Sequence, residues 1–357
     1  MGYRLIDLFA GCGGMTAGFL DTGRYRVILA VENDRDAADT YALNFGGEHL
    51  RLGDIEDVAE FPEADVIIGG PPCQGFSPLN RQRTATLSRS LWREYWRALQ
   101  QVRPAAFVME NVPELLQSPE YVSFSALACE AGYNVRGETL NAADYGVPQR
   151  RRRAIVIGIL DPDGDREVPW PKPTHGPDRA PWVTVREALA GLPLEPDGKN
   201  WHRARNPRPE SRLRYAAVPR DGGNRHQMQE ALERRGLGHL VPRCWREHKT
   251  GSHDVFGRLW WDRPAATIRT EFYKPEKGRY LHPEADRPLT IREGALLQTM
   301  ESFEFPEHQS MTSIGRQIGN AVPPRLAQRI AEALADHLYS RGAHPGIREP
   351  EPDYQPA

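Results

Sequence analysis

Tyr3-Arg-Leu-Ile-Asp-Leu-Phe-Ala-Gly-Cys-Gly-Gly-Met-Thr-Ala-Gly-Phe19 opens the chain with an apolar run that turns directly into a cluster of glycines. The apolar part has the composition of a buried strand, and a glycine-rich turn between strand and helix lets the backbone approach a ligand closely. The nicotinamide pattern Gly-x-Gly-x-x-Gly fails, because Gly11 and Gly13 are followed by Thr16. The stretch therefore predicts an α/β fold with a ligand-binding turn and disfavours a nicotinamide dehydrogenase.

Further apolar runs and amphipathic stretches alternate through the first 160 residues. The predicted strands lie at 26–31, just before Gly53, and at 65–68, 105–109 and 154–160. Helical spacing is found at 35–45, 91–102 and 122–131. This alternation predicts a doubly wound, mostly parallel sheet, in which ligands bind beyond the carboxyl ends of the strands.

Acidic residues follow two of the early strands. Glu32 ends the second strand, 19 residues after Gly13, and suits hydrogen bonding to a ribose diol. Asp54 follows the third strand, where it could accept from an adenine amino group. Either carboxylate could instead be a helix N-cap. Together with the glycine turn they predict an adenosine pocket, which could belong to a dinucleotide or to S-adenosylmethionine.

A candidate nucleophile stands in Gly69-Gly-Pro-Pro-Cys-Gln-Gly-Phe-Ser77, at the end of the next strand. Two prolines restrict the backbone before Cys73, and a thiolate is the reactive form of such a residue. The following strand ends in Glu110-Asn-Val-Pro, which places a carboxylate at the same edge of the sheet. The four cysteines form no Cys-x-x-Cys pair, so we expect no metal site.

A basic run, Gln149-Arg-Arg-Arg-Arg153, leads into the last strand. Because alternate strand residues share a face, Gln149, Arg151 and Arg153 are expected to point together. Arg150 and Arg152 would point the other way, towards solvent or DNA phosphate. A charge run is usually a solvated surface, but this one adjoins a buried strand.

Six segments in the same order resemble the motifs of bacterial DNA (cytosine-5)-methyltransferases, a family that includes type II restriction–modification methylases. The resemblance covers almost the whole chain and rests on Asp7-Leu-Phe-Ala-Gly-Cys-Gly-Gly, Pro71-Pro-Cys-Gln-Gly-Phe-Ser, Glu110-Asn-Val, Tyr145-Gly-Val-Pro-Gln-Arg-Arg-Arg-Arg, Arg287-Pro-Leu-Thr-Ile-Arg-Glu-Gly-Ala-Leu-Leu-Gln and Gln317-Ile-Gly-Asn-Ala-Val-Pro-Pro. One segment departs: Leu87-Ser-Arg-Ser-Leu91 lacks the Asp-x-Arg that many members carry, which weakens the expected cofactor contact at Leu91.

The resemblance implies a Rossmann-like, S-adenosylmethionine-dependent methyltransferase domain with a smaller, mixed, strand-rich target-recognition domain inserted in it. We expect the catalytic domain at 1–165, completed by 312–340, and the recognition domain at 175–286. Residues 287–311 would connect the two, and 341–357 would be a disordered tail.

The resemblance also assigns roles to residues. Cys73 would add to C6 of cytosine, Glu110 would stabilise protonated N3, Arg151 and Arg153 would orient the base, and Gln149 would support the site. The implied contacts to S-adenosylmethionine are made by Phe9, Ala10, Gly11, Gly13, Gly14, Glu32, Asn33, Asp54, Ile55, Pro72, Leu91, Asn320 and Ala321.

The implied substrate is double-stranded DNA, from which the target base must be flipped out. The net charge of −2 argues against nucleic acid when taken alone, but 199–250 holds 13 Lys and Arg against 5 Asp and Glu. This segment is the predicted DNA surface. Part of its charge reflects composition, since the chain has 41 Arg and only 5 Lys. Thr267-Ile268 weakly resembles a family pair near the flipped nucleotide, and Trp260, Trp261, Phe272 and Tyr273 are expected in the core.

The remaining expectations concern setting and competing functions. No signal peptide or long apolar run is present in the sequence, so we expect no membrane partner and a cytoplasmic, nucleoid-associated protein. We expect a monomer on DNA, with a cognate restriction endonuclease acting separately. A tRNA cytosine-5 methyltransferase of the same fold and a non-enzymatic DNA-binding relative are the alternatives.

Overall fold

A seven-stranded sheet forms the centre of the computed structural model, which describes residues 2–72, 91–162, 164, 167–247 and 254–340. The strand order is β3-β2-β1-β4-β5-β7-β6. The strands are β1 Tyr3–Leu8, β2 Tyr25–Glu32, β3 Leu50–Leu52, β4 Val66–Gly69, β5 Ala106–Asn111, β6 Tyr133–Asn141 and β7 Arg152–Leu160.

The pairings confirm the expected α/β class with a mostly parallel sheet. β1 to β5 pair in parallel, whereas β7 runs antiparallel to both β5 and β6. The first residues of β7 therefore reach the same edge as the carboxyl ends of the parallel strands. β6 was not predicted, because its half-exposed edge position gives it a weak apolar pattern.

The helices of the described residues flank this sheet and continue through the inserted segment. They are α1 Gly14–Leu20, α2 Arg35–Phe45, α3 Leu91–Val102, α4 Pro119–Glu130, α5 Val185–Ala188, α6 Pro209–Ala217, α7 Arg225–Arg234, α8 Arg243–Glu247, α9 Ile291–Leu297, α10 Met311–Asn320 and α11 Pro324–Ser340. Polar caps fix several starts: Asp34 accepts from Ala37 N, and Thr290 forms a capping box with Glu293.

The two faces of the sheet bury separate apolar clusters. One face packs against α1 and α11, and the other against α3 and α4. Gly18 allows α1 to lie directly on the start of α11, since a Cβ there would come 2.2 Å from the carbonyl oxygen of Pro324. Small side chains thus decide how closely the last helix returns to the sheet.

The inserted segment is helical and irregular, which corrects the expectation of a strand-rich domain. Within the described residues of 175–286 there are helices, 3₁₀ turns and isolated bridges. Two buried arginines donate hydrogen bonds to backbone carbonyl oxygens, as the N–H groups of a neighbouring strand would in a sheet. Arg258 donates to the carbonyl oxygens of Tyr215 (2.8 Å) and Val218 (3.0 Å), and Arg279 to Gly222 O (3.0 Å). Backbone groups that strands would pair are satisfied by guanidinium groups instead.

The aromatic residues of this segment divide into two groups. Phe272 and Tyr273 are core residues, as predicted, with 0% and 3% of their surface exposed. Trp260 and Trp261 are half-buried. The guanidinium groups of Arg279 and Arg263 lie 4.0 and 4.8 Å from the Trp260 ring, so its aromatic surface is already used by cations.

Two apolar clusters occupy the inserted region. One contains Tyr215, Met228, Leu232 and Phe256. The other joins Trp201 and Ile268 to Cys12 and Ala17 of the first domain. The predicted domain limits remain a prediction, and the predicted tail at 341–357 and Cys73 lie outside the described residues. Within the described part of the chain, no helix has both the length and the apolar character that a bilayer crossing requires.

Candidate active site

A cavity of about 530 Å³ opens at the carboxyl ends of β1, β2, β4 and β5. Its walls come from the turn after β1, the loop before Cys73, the end of β5 and the end of α10. Eleven of the predicted site residues line it: Phe9, Ala10, Gly11, Gly14, Glu32, Asn33, Pro72, Glu110, Arg153, Asn320 and Ala321. The cavity therefore brings the predicted cofactor and catalytic groups together.

The turn after β1 is held in an unusual backbone conformation. Phe9, Gly11 and Gly13 all have positive φ, at 60°, 57° and 90°, and only glycine adopts such values without strain. Gly13 does not line the cavity. A Cβ there would come 2.3 Å from the Phe45 ring, so this glycine allows α2 to pack against the turn.

Glu32 holds the turn from the end of β2. Its carboxylate accepts hydrogen bonds from the backbone N–H groups of Gly11 and Asp34, both at 2.8 Å. Burial raises the pKa of Glu32, and these two hydrogen bonds oppose the shift. The carboxylate thus lies in the cavity wall with its orientation fixed by backbone donors.

Asp54 and Ile55 lie outside the cavity wall. Asp54 is exposed and accepts from Asn33 Nδ2 at 2.8 Å, so Asn33 is the member of this pair that lines the cavity. Ile55 is a buried core residue. Leu91, at the start of α3, is half-buried against the same core and also lies outside the lining.

Glu110 and Arg153 form the polar pair of the cavity. Arg153 Nε lies 2.8 Å from Glu110 Oε1, and both side chains are largely buried. The neighbouring Asn111 donates from Nδ2 to the carbonyl oxygen of Pro71 at 2.9 Å. β5 thereby fixes the backbone that leads through Pro72 to Cys73. Cys73 itself lies outside the described residues, but its attachment point is at the cavity.

Gln149 and Arg151 are fully buried and lie outside the cavity lining. Arg151 donates to the carbonyl oxygens of Ile268 at 3.0 Å and Gly319 at 2.9 Å. Burial, followed by the charge of Arg153, lowers the pKa of Arg151 to about 9. Gln149, Arg151 and Arg153 are the less exposed members of the run, as the alternation in sequence predicted, and Arg153 is the one of these three that lines the cavity.

The intervening arginines are exposed, as predicted. The Arg150 guanidinium lies 4.9 Å from the centre of the Trp182 ring, and Trp182 Nε1 donates to Asp144 at 2.9 Å. Because Trp182 already orders the exposed Arg150 guanidinium, Arg150 would lose little further conformational freedom on binding a phosphate or another anion.

Asp7 is a cavity residue without a predicted role. It is 1% exposed and accepts a 2.6 Å hydrogen bond from Thr16 Oγ1. Burial raises the pKa of Asp7 to about 7, with a smaller contribution from Glu32 in the same direction. The sequence signal that could have identified Asp7 is a carboxylate inside an otherwise apolar strand, directly before a glycine-rich turn.

The cavity wall at the end of α10 contains residues beyond the predicted Asn320 and Ala321. Arg316 forms an ion pair with Asp34, and Gln317 and Val322 extend the wall around Asn320. Among the described residues, no group of three or more His, Cys, Asp or Glu side chains is arranged to hold a metal ion.

Comparison with known proteins gives a consistent family. The family model for C-5 cytosine-specific DNA methylases matches residues 3–336. Type II methyltransferase M1.HphI of Haemophilus parahaemolyticus is 32% identical over 353 residues, which cover 94% of this chain and 87% of that protein. Type II methylase M.HgiDII of Herpetosiphon aurantiacus is 30% identical over 357 residues, covering 94% and 95%.

Solved structures agree in fold. A prophage-encoded DNA modification methyltransferase of E. coli superposes with a TM-score of 0.65 at 26% identity, covering 95% of this chain and all of that one. The S. pombe Dnmt2 methyltransferase has a TM-score of 0.63 at 16% identity, covering 96% and 99%, and supports the fold alone. The chain belongs to the C-5 cytosine-specific DNA methylase family and is a DNA (cytosine-5)-methyltransferase.

Proposed function

We propose that this protein methylates C5 of a cytosine within a specific double-stranded DNA sequence, with S-adenosylmethionine bound in the cavity. The observation that carries the proposal is the Glu110–Arg153 pair in the cavity that Glu32 and the glycine turn also line. A carboxylate fixed by an arginine lies there beside an adenosine-type pocket, at the base of the loop that bears a cysteine.

The residues present fit this cofactor. Gly11 leaves open space where a side chain would stand, with no atom within 4 Å of an added Cβ. The half-buried Glu32 carboxylate offers acceptor lone pairs that suit a ribose diol. The volume of about 530 Å³ falls in the range of ligand pockets. When bound, S-adenosylmethionine supplies an electrophilic methyl group on a sulfonium centre.

The side chains of this protein activate the base. We assign the attack on C6 to the thiolate of Cys73, which makes C5 nucleophilic. Glu110 hydrogen-bonds N3 and the exocyclic amine and stabilises the protonated ring as charge develops. The activated C5 would then accept the methyl group that bound S-adenosylmethionine supplies. Loss of the C5 proton to a base and expulsion of the Cys73 thiolate then restore the ring.

Arg153 and Arg151 act at different distances from the base in this proposal. Arg153 lies in the cavity and holds Glu110, so it can also contact the base or its adduct. Arg151 and Gln149 support the site from behind, through carbonyl oxygens of neighbouring segments. The structural positions thus favour a supporting role for Arg151 over base contact.

The test is transfer of a tritiated methyl group from S-adenosylmethionine to nucleic acid, with duplex DNA and unmodified tRNA as parallel substrates. We expect incorporation into DNA and background counts with tRNA. Incorporation into tRNA alone would replace this proposal by the tRNA alternative, and no incorporation into either would favour a non-enzymatic DNA-binding protein.

The wider setting is a further part of the proposal. Relatives carry type II methyltransferase names, which supports a cognate restriction endonuclease acting separately on the same sequence. We also propose that the protein acts as a monomer. Bisulfite sequencing of DNA from cells expressing the protein would give the site, and light scattering of the complex with that site would give the stoichiometry.

A further inference from the structure

Buried hydrogen bonds join the backbone at residue 268 to the cavity wall at 319–321. Gln149 Oε1 accepts from Ile268 N at 2.8 Å, and Gln149 Nε2 donates to Gln298 Oε1 at 2.8 Å. Gln298 Nε2 in turn donates to the carbonyl oxygens of Ile318 and Ala321. Both glutamines are 0% exposed. Two side-chain amides thus link three segments that are distant in sequence.

Arg151 makes a second connection beside the first. Its guanidinium donates to Ile268 O at 3.0 Å and to Gly319 O at 2.9 Å. Both backbone polar groups of Ile268 are therefore tied, through side chains, to the end of α10. Gly319 also lies so close to Thr270 that an added Cβ would come 2.3 Å from Thr270 N. The two backbones have little room to slide past each other.

One end of this network is the cavity. Asn320 and Ala321 line it, and the carbonyl oxygen of Ala321 is one of the two acceptors of Gln298. A change in the position of these acceptors would move the wall against which the cofactor is proposed to lie.

The other end lies at a basic surface. Arg150, Arg152, Arg263 and Arg269 are exposed around the segment that contains Ile268. Thr267 Oγ1 donates to Arg150 O at 2.8 Å, and Arg150 N donates to Ala265 O at 2.9 Å. The backbone that carries these cations is therefore continuous with the network, and its charge suits a phosphate backbone.

We propose that Gln298 is a positioning residue that couples cofactor binding in the cavity to DNA binding at the basic surface formed by Arg150, Arg152, Arg263 and Arg269. This inference rests on the proposed function, because it takes the cavity as the cofactor site. Gln298 does not line the cavity, so its effect on affinity must pass through Ile318, Ala321 and Gln149. Coupling of two binding equilibria is reciprocal, and it can be measured from either side.

Two variants test different parts of the amide. Gln298→Met keeps the length of the side chain and removes both hydrogen-bonding groups. Gln298→Glu keeps an acceptor for Gln149 but places a carboxylate oxygen against two carbonyl oxygens. The control is Arg292→Met on α9, the helix that ends just before Gln298. It removes donors to the carbonyl oxygens of Glu301 (2.6 Å), Phe303 (3.2 Å) and Met300 (3.4 Å) but none to Gln149 or 318–321.

The experiment is calorimetric titration of each full-length protein with S-adenosylhomocysteine, alone and with a saturating duplex that the wild type methylates. Thermal melting verifies that each variant is folded. We expect both Gln298 variants to bind the probe about tenfold more weakly, because buried carbonyl groups lose their donor. We also expect the ratio of the affinities with and without DNA to move towards one, and Arg292→Met to keep both wild-type values.

The outcomes separate the inference from the proposed function. If the wild type does not bind S-adenosylhomocysteine, the proposed function fails. If it binds and the folded Gln298 variants keep its affinity, Gln298 has no positioning role. The coupling would be overturned by variants that bind S-adenosylhomocysteine more weakly but keep the wild-type ratio of affinities with and without DNA. A wild-type ratio equal to one would also overturn it. If Gln298→Met does not fold, Gln298→Glu is judged by the same two values.

Discussion

Arg153 Nε lies 2.8 Å from Glu110 Oε1 at the point where antiparallel β7 meets the end of β5. The ion pair keeps the carboxylate next to the guanidinium group inside the cavity. Glu110→Gln keeps an oxygen acceptor but removes the negative charge that stabilises protonated N3, so we expect it to lower kcat about 10²- to 10⁴-fold. Binding of S-adenosylhomocysteine is expected to stay within about twofold. Single-turnover methyl transfer measures the rate, and Glu114→Gln, an exposed glutamate nearby, is the control.

Cys73 follows Pro72 of the cavity wall and lies outside the described residues. Cys73→Ser is expected to abolish methylation while binding of DNA and cofactor persists, because the alcohol is a far weaker nucleophile than the thiolate. Filter assays of methyl transfer and gel-shift assays of DNA binding measure the two properties. Cys129→Ser, at an exposed cysteine of α4, should behave as the wild type. Normal turnover by the Cys73 variant would remove the covalent step from the mechanism.

Asp7 should make stability depend on pH. Burial raises the pKa of Asp7 to about 7, whereas an aspartate in an unfolded chain has a pKa of about 3.9. Between these values the folded state binds more protons, so this contribution to the free energy of unfolding falls as pH rises, by about 4 kcal/mol in total.

Asp7→Asn removes this titration and can still accept from Thr16. We expect the variant to lose less thermal stability than the wild type between pH 5 and pH 8. Melting curves of the ligand-free proteins across that range provide the measurement, with Asp57→Asn as the control at an exposed carboxylate. Parallel pH profiles for wild type and Asp7→Asn would show that Asp7 is ionised throughout.

Exposed arginines of the inserted segment are expected to bind DNA phosphate. Arg208 and Arg235 are exposed, whereas Arg258 is fully buried against backbone carbonyl groups. Each phosphate that an arginine no longer neutralises should reduce the slope of log affinity against log salt by about 0.9. The double variant Arg208→Ala, Arg235→Ala should therefore bind duplex DNA more weakly with a shallower slope. Arg26→Ala, on β2, is the control, and an unchanged slope in the double variant would place the DNA surface elsewhere.

Much of the sheet and the catalytic edge could be predicted from sequence, because both follow from short-range patterns. The buried strands form continuous apolar runs, and Glu32 and Glu110 stand at strand ends, where parallel topology brings side chains together. The positions of these two carboxylates needed only the alternation of strands and helices. Edge strand β6 lacked such a run, because most of its residues are at least partly exposed to solvent.

The features that could not be predicted depend on contacts between distant segments. Alternation along 149–153 could not show that Arg151 would meet carbonyl oxygens of Ile268 and Gly319, which are more than 100 residues away. Nor could the aromatic stretch around Trp260 show that Arg258 and Arg279 would satisfy the backbone in place of a strand ladder. In both cases the donors of a guanidinium group reach backbone carbonyl oxygens that local patterns do not bring together.

The separate apolar cluster around Met228 and Phe256 has a consequence for how this protein can change its target. That cluster includes Leu281 but shares no buried member with the cluster that joins Ile268 to Ala17. We therefore expect substitutions on α6 and α7 to leave the cavity and its carboxylates in place. The proposed DNA-binding surface on this segment could therefore change as a block between relatives, while the cluster that holds Ile268 is retained.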